Sequence, residues 1–159
     1  AIKKEKASSS IALAATESMK TLNKKASEIA QKFSPNAVTD VTGFGLVGHL
    51  IEICNASDVS ANINYKQIEF LPGAIDLVSE GIIPGGSKRN LDHAEKFTVF
   101  RSSLSSNQKL LACDAQTSGG LLLTFPPDDA EEFLKAFGAK AKRIGEIVYK
   151  KTYSVAIDN

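Results

Sequence analysis

The stretch from Asn36 to Gly48, Asn-Ala-Val-Thr-Asp-Val-Thr-Gly-Phe-Gly-Leu-Val-Gly, constrains this chain more than any other. A lone carboxylate, Asp40, stands between two hydroxyl residues, Thr39 and Thr42, and glycines follow at Gly43, Gly45 and Gly48. The glycines coincide with the start of an apolar helical pattern: Phe44, Leu46, Val47, Leu50, Ile51 and Ile53. A helix apolar over so much of its surface must be buried, which fixes the polar turn in front of it at one end of a core. Glycines at a helix start let backbone N–H groups approach an anion, and the helix dipole favours negative charge there. A carboxylate beside such a site can hold a divalent cation that bridges to phosphate.

Around this junction the chain reads as mixed helix and strand. Ala12, Ala15, Met19, Leu22, Ala26 and Ile29 make one helical stripe, with Ser8 to Ser10 as N-cap candidates and a stop at Phe33-Ser34-Pro35. The buried helix is predicted over residues 43–55 and a strand over Val59–Tyr65. A short helix over Ala74–Glu80 ends at Gly81, and residues 83–90 read as a loop. A helix through Ala94–Phe100 is the preferred reading of an ambiguous region, residues 91–111. Leu121–Phe125 is an apolar run suited to a buried strand, and Pro127 starts a helix that Gly138 closes. Two strands, Arg143–Val148 and Tyr153–Ile157, finish the chain. Without strict βαβ alternation this is an α+β layered domain. Residues 1–10 are expected to be a poorly ordered lead-in and residues 11–159 a single domain, the whole being a fragment of a longer chain.

Composition narrows the partners. Nineteen basic and 18 acidic residues leave a net charge of +1, so no global field draws nucleic acid. Lysines gather near the start without interleaved aromatics, as on a solvated helix face. No apolar run approaches the ~20 residues that span a bilayer. Cys54 and Cys113 have no C-x-x-C spacing and read as reduced thiols of a cytoplasmic protein. His49, inside the buried helix, reads as a packed or interface histidine, and His93 as a surface residue.

Three polar, glycine-rich loops carry the candidate chemistry: Thr39–Gly45, Pro84–Asn90 and Asp114–Gly120. Each borders a strong apolar element, and backbone nests of this kind bind anions. Lys88 and Arg89 add charge for phosphate oxygens. Each loop taken singly is also an ordinary turn composition. No G-x-x-x-x-G-K-[ST] loop or nucleophile elbow is present. Residue chemistry alone therefore reaches a phosphate- or metal-binding α+β domain.

Taken together the loops resemble a known family. Thr39-Asp40-Val41-Thr42-Gly43-Phe44-Gly45-Leu46-Val47-Gly48-His49-Leu50 closely resembles a segment of the selenophosphate synthetases, the selenide, water dikinases. Pro84-Gly85-Gly86 with Arg89-Asn90 resembles that family's second loop, and Gln116-Thr117-Ser118-Gly119-Gly120-Leu121-Leu122 its third. The lead-in Met19-x-x-Leu22-Asn23-Lys24-x-Ala26 also fits, while Ala115 stands where the family usually has Pro. The resemblance covers the family's C-terminal half and implies an α/β/α layered domain of the aminoimidazole ribonucleotide synthetase type. It implies that Asp40 holds Mg²⁺ against ATP phosphates. Thr42, Gly43, Gly45, Gly85, Gly86, Arg89, Asn90, Thr117, Ser118 and Gly119 would line the phosphate site. It places the catalytic Cys or selenocysteine and Lys, and most of the ATP site, in an N-terminal domain outside this sequence, so no catalytic residue is expected here. The implied reaction converts ATP, selenide and water into selenophosphate, AMP and phosphate, in a homodimeric enzyme. Another ATP-dependent enzyme of the same superfamily, or a stand-alone metabolite-binding module, are the alternatives.

Overall fold

The computed structural model describes residues 1–159. After a 3-10 turn at Ile2–Lys4, the Ser8 hydroxyl accepts the Ile11 N–H and starts helix α1 (Ser9–Lys20). The single stripe predicted from Ala12 to Ile29 is two helices, α1 and α2 (Lys24–Ala30), broken at Thr21–Asn23. Thr21 turns to extended backbone, and its hydroxyl donates to the Glu17 carbonyl at 2.8 Å. Asn23 donates its side-chain amide to the Gly119 carbonyl at 2.9 Å. Here a long-range anchor overrides helical periodicity, as tertiary context commonly does.

Strand β1 (Ala37–Asp40), which the sequence reading did not foresee, leads through the glycine-rich turn into α3 (Gly45–Ala56). Strand β2 (Val59–Asn64) and helix α4 (Ala74–Ser79) follow as expected. The expected loop over residues 83–90 is instead the start of helix α5 (Gly85–Ala94). Pro84 and two glycines signal a turn, yet Ser87 to Ala94 contain no further breaker and the helix runs on. The helix expected through Ala94–Phe100 gives way to strand β3 (Thr98–Phe100). Thr, Val and Phe favour a strand once a partner strand is available. Helix α6 (Ser106–Ala112) begins in a capping box between Ser105 and Gln108. Strand β4 (Leu121–Thr124), helix α7 (Pro127–Phe137) and strands β5 (Gly145–Tyr149) and β6 (Val155–Asp158) complete the chain.

Strands β3, β6, β2 and β5 lie side by side in that order, β5 antiparallel to β2 and the other pairs parallel. In register, Ala61 pairs with Val155 and Ile63 with Ile157, and all four are buried. Helix α3 packs on β2 and β6 and adds Val47, Leu50, Ile51 and Cys54 to the same core. Burying each large aliphatic side chain contributes about 1.5–3 kcal/mol. Helices α5 and α6 pack against α3, and α4 packs on α6.

The second sheet is a two-stranded antiparallel ribbon, β1 with β4, in which Thr39 pairs with Leu122 and Asp40 with Leu121. Leu122 joins the main core, whereas Val38 and Asp40 stay exposed. Beyond the ribbon, Phe33, Phe125, Phe133 and Phe137 form a separate aromatic cluster with centroids 5.0–6.4 Å apart. The architecture is the α+β domain that the sequence predicts, mixed sheet with flanking helices, its strands divided between two sheets. No helix is long and apolar enough to cross a membrane.

Candidate functional site

Loops one and three are joined by backbone. Val41 N–H donates to the Gly120 carbonyl at 2.9 Å, and Gly119 N–H returns to the Val41 carbonyl at 3.0 Å. The Thr42 carbonyl accepts from Gln116 N–H at 3.0 Å and from Gly45 N–H at 2.9 Å. Such close approach requires missing side chains. Gly45 has φ +69°, and a Cβ there would lie 2.6 Å from the Asp114 carbonyl oxygen and 2.8 Å from that of Cys113. A Cβ on Gly119 would overlap the Val41 carbonyl.

The second loop joins through side chains. Asn90 donates to the Gly43 carbonyl at 2.9 Å and to the Cys113 carbonyl at 3.1 Å. Ser87, 1% exposed, donates its hydroxyl to the Asp114 carboxylate and accepts the Ala115 N–H at 3.2 Å. Gln116 donates to the other Asp114 oxygen at 3.2 Å. The Gly85–Gly86 start of α5 thus abuts the third loop, where a Cβ on Gly86 would lie 3.4 Å from that of Ala115. The three predicted loops form one surface.

The residues named from sequence divide into two groups. Gly45, Asn90 and Gly119 hold the loops to one another. Gly43, Gly85, Gly86, Thr117 and Ser118 have backbone N–H groups with no partner in the chain. Lys88 and Arg89 are exposed and unpaired, and the Arg89 guanidinium arches back to 3.4 Å from where a Gly85 Cβ would stand. The Arg89 guanidinium therefore stands beside free amide donors at the first turn of α5, a composition that suits an oxyanion.

Asp40 lies at the end of β1, its carboxylate exposed and without a hydrogen-bond or ion-pair partner. It borders an open groove of about 540 Å³ with Asn23, Lys24, Thr39 and Leu121. None of Gly85, Gly86, Arg89, Thr117 or Ser118 lines that groove. No three His, Cys, Asp or Glu side chains stand together as a metal cage. Mg²⁺ takes near-octahedral oxygen coordination, commonly from one or two carboxylates plus waters and phosphates. Asp40 fits as one such ligand and not as a whole site.

Residues inside the named loops and motifs, but not singled out as site residues from sequence, also shape it. Asp114, Ser87 and Asn23 tie the loops together, as does His49, whose ring accepts the Thr42 N–H at 3.1 Å. Their spacing carries no signal, because each partner comes from a distant part of the chain or from an irregular turn. Cys54 and Cys113 are free and buried. Burial, assisted by Glu95, pushes the Cys113 thiol up to about 12, so it stays protonated at neutral pH.

Residues 1–158 match the family profile for AIR synthase related proteins, C-terminal domain. Among curated proteins, the selenide, water dikinase of Aliarcobacter butzleri is 40% identical over 146 residues, 89% of this chain and 41% of that protein. That of Pseudomonas putida is 41% identical over 87% of this chain and 40% of its own length. That of Yersinia pestis is 44% identical over 84% and 38%. The chain spans about 40% of the length of the curated relatives it matches. With nearly every residue inside the profile, the chain belongs to the AIR synthase related family, as its C-terminal domain.

Proposed function

We propose that this domain supplies one wall of the active site of a selenophosphate-forming enzyme, which uses ATP and selenide and releases AMP and phosphate. The observation that carries the reading is Asp40: an exposed, unpartnered carboxylate beside a glycine-rich turn, in a domain about 40% identical to proteins named selenide, water dikinase. Bound Mg²⁺ would neutralise and align phosphate oxygens during phosphoryl transfer. Asp40 would give it one oxygen ligand. The free N–H groups of Gly43, Gly85, Gly86, Thr117 and Ser118, with Lys88 and Arg89, would bind phosphate oxygens and orient them. Gly45, Asn90 and Gly119 would keep the three loops in register, and Thr42 would present its hydroxyl.

In this reading the catalytic nucleophile, the other metal ligands and most of the ATP site belong to a companion N-terminal domain. The complete enzyme is a homodimer in the cytoplasm, where two buried free thiols stay reduced. This chain alone is then catalytically silent. In the complete protein, Asp40→Ala should abolish selenide-dependent AMP release while far-UV circular dichroism is unchanged. Near-normal turnover would overturn the assignment. Calorimetric titration of the chain alone with Mg-ATP should show no binding; micromolar affinity would instead favour a self-sufficient binding module.

A further inference from the structure

His49 occupies a position on α3 where both ring nitrogens have close polar neighbours. It is 7% exposed. On one side Nδ1 lies 3.2 Å from the Glu52 carboxylate, one turn further along the helix. On the other, Nε2 lies 3.1 Å from the Thr42 backbone nitrogen and 3.2 Å from the Thr42 hydroxyl oxygen. The Phe44 ring covers the imidazole at 5.7 Å between centroids.

The chemistry of the partners fixes the proton. A backbone N–H only donates, so Nε2 must offer its lone pair and the ring proton must sit on Nδ1. The Glu52 carboxylate, 3.2 Å from Nδ1 and largely exposed, lies near that proton without forming an aligned hydrogen bond, so the tautomer is set by the Thr42 N–H. The Thr42 carbonyl is already held by Gln116 and Gly45. With its N–H tied to His49, Thr42 is fixed at both ends of its backbone. Two donors of Thr42, amide and hydroxyl, compete for one Nε2 lone pair. When the amide takes it, the hydroxyl proton is left without that acceptor.

We propose that His49 is a positioning residue: it locks Thr42 so that the Thr42 hydroxyl and the following Gly43 amide face an incoming phosphate oxygen. The proposal rests on the reading of this loop as a phosphate site, and the two can fail separately. The chain contains only two histidines, so His93→Gln leaves a single imidazole to follow by long-range ¹⁵N correlation spectroscopy. His49 should show a protonated Nδ1 and an unprotonated Nε2. Amide exchange at Thr42 should accelerate at least about 10-fold in His49→Phe, the expected result of losing one protecting hydrogen bond of about 1.4 kcal/mol. His49→Gln, whose side-chain oxygen reaches the Nε2 position, should restore protection.

In the complete protein, His49→Phe should lower kcat for selenide-dependent AMP release at least about 10-fold, on the scale of one lost positioning contact, and His49→Gln should recover most of it. An Nε2–H tautomer, or unchanged Thr42 exchange in His49→Phe, overturns the lock whatever the turnover. A confirmed tautomer and faster exchange with unchanged turnover overturns the positioning role. Asp40→Ala in the same assay tests the phosphate-site reading independently.

Discussion

The side-chain amide of Asn90 bridges the carbonyls of Gly43 and Cys113, at 2.9 and 3.1 Å, and so fastens helix α5 to the turns at the ends of α3 and α6. Asn90→Ala would leave the buried Cys113 carbonyl without this donor, while the exposed Gly43 carbonyl can turn to water; leaving a buried polar group unsatisfied costs about 1–3 kcal/mol. Asn90→Asp should cost at least as much, because a carboxylate would face two carbonyl oxygens. Urea denaturation of the two variants checks both expectations.

Gly45 and Gly81 have nearly the same left-handed backbone, φ +69° and +74°, but different surroundings. Gly81→Ala meets open space and should cost only the conformational penalty, about 1–2 kcal/mol. Gly45→Ala adds a steric overlap with the Cys113 and Asp114 carbonyls, worth a further 1–3 kcal/mol on the scale of about one overpacked group. A similar loss in both variants would show that the turn around Gly45 relaxes freely.

The Asp40 side chain is exposed and makes no hydrogen bond or ion pair, although its backbone pairs with Leu121. Asp40→Asn should therefore shift unfolding free energy by less than about 0.5 kcal/mol, the range of ordinary surface substitutions. Calorimetry on the chain alone measures this. A large loss would mean that the carboxylate is structural.

The Cys113 thiol is raised from its ordinary 9.0 to about 12, first by burial and then by the Glu95 charge. A raised pKa stabilises the fold below the unfolded value and loses that effect as pH climbs toward the folded value. Between 9.0 and about 12, the unfolded thiol ionises while the folded one stays protonated, so unfolding releases a proton. Stability should fall with pH in that window by up to about 1.4 kcal/mol per unit for this group. Cys113→Ala should show a shallower alkaline slope in urea midpoints measured across the window. Equal slopes in the two proteins would contradict the burial effect.

Much of the layout was readable because it is local. The apolar pattern from Leu46 to Ile53 demanded a buried helix, and α3 is buried as predicted. Alternation gave β2, an apolar run gave β4, and Pro127 with Gly138 framed α7. The Asp40 and glycine chemistry marked three loops that the structure joins. Short elements were lost where a neighbour from elsewhere decides the conformation: β1 needs β4, β3 needs β6, and the break at Asn23 needs Gly119.

The sequence by itself determined which segments must be buried and which turns carry polar and glycine residues, since periodicity and backbone freedom are properties of adjacent residues. Only the tertiary structure decided which of those polar groups are still available. Asn90, Gly119 and the Thr42 amide are bound within the domain, whereas Asp40, Arg89 and the Gly85–Gly86 amides are free. A hydrogen-bonding side chain carries the same capacity wherever it stands, and its partner is chosen by chain segments that folding brings to it.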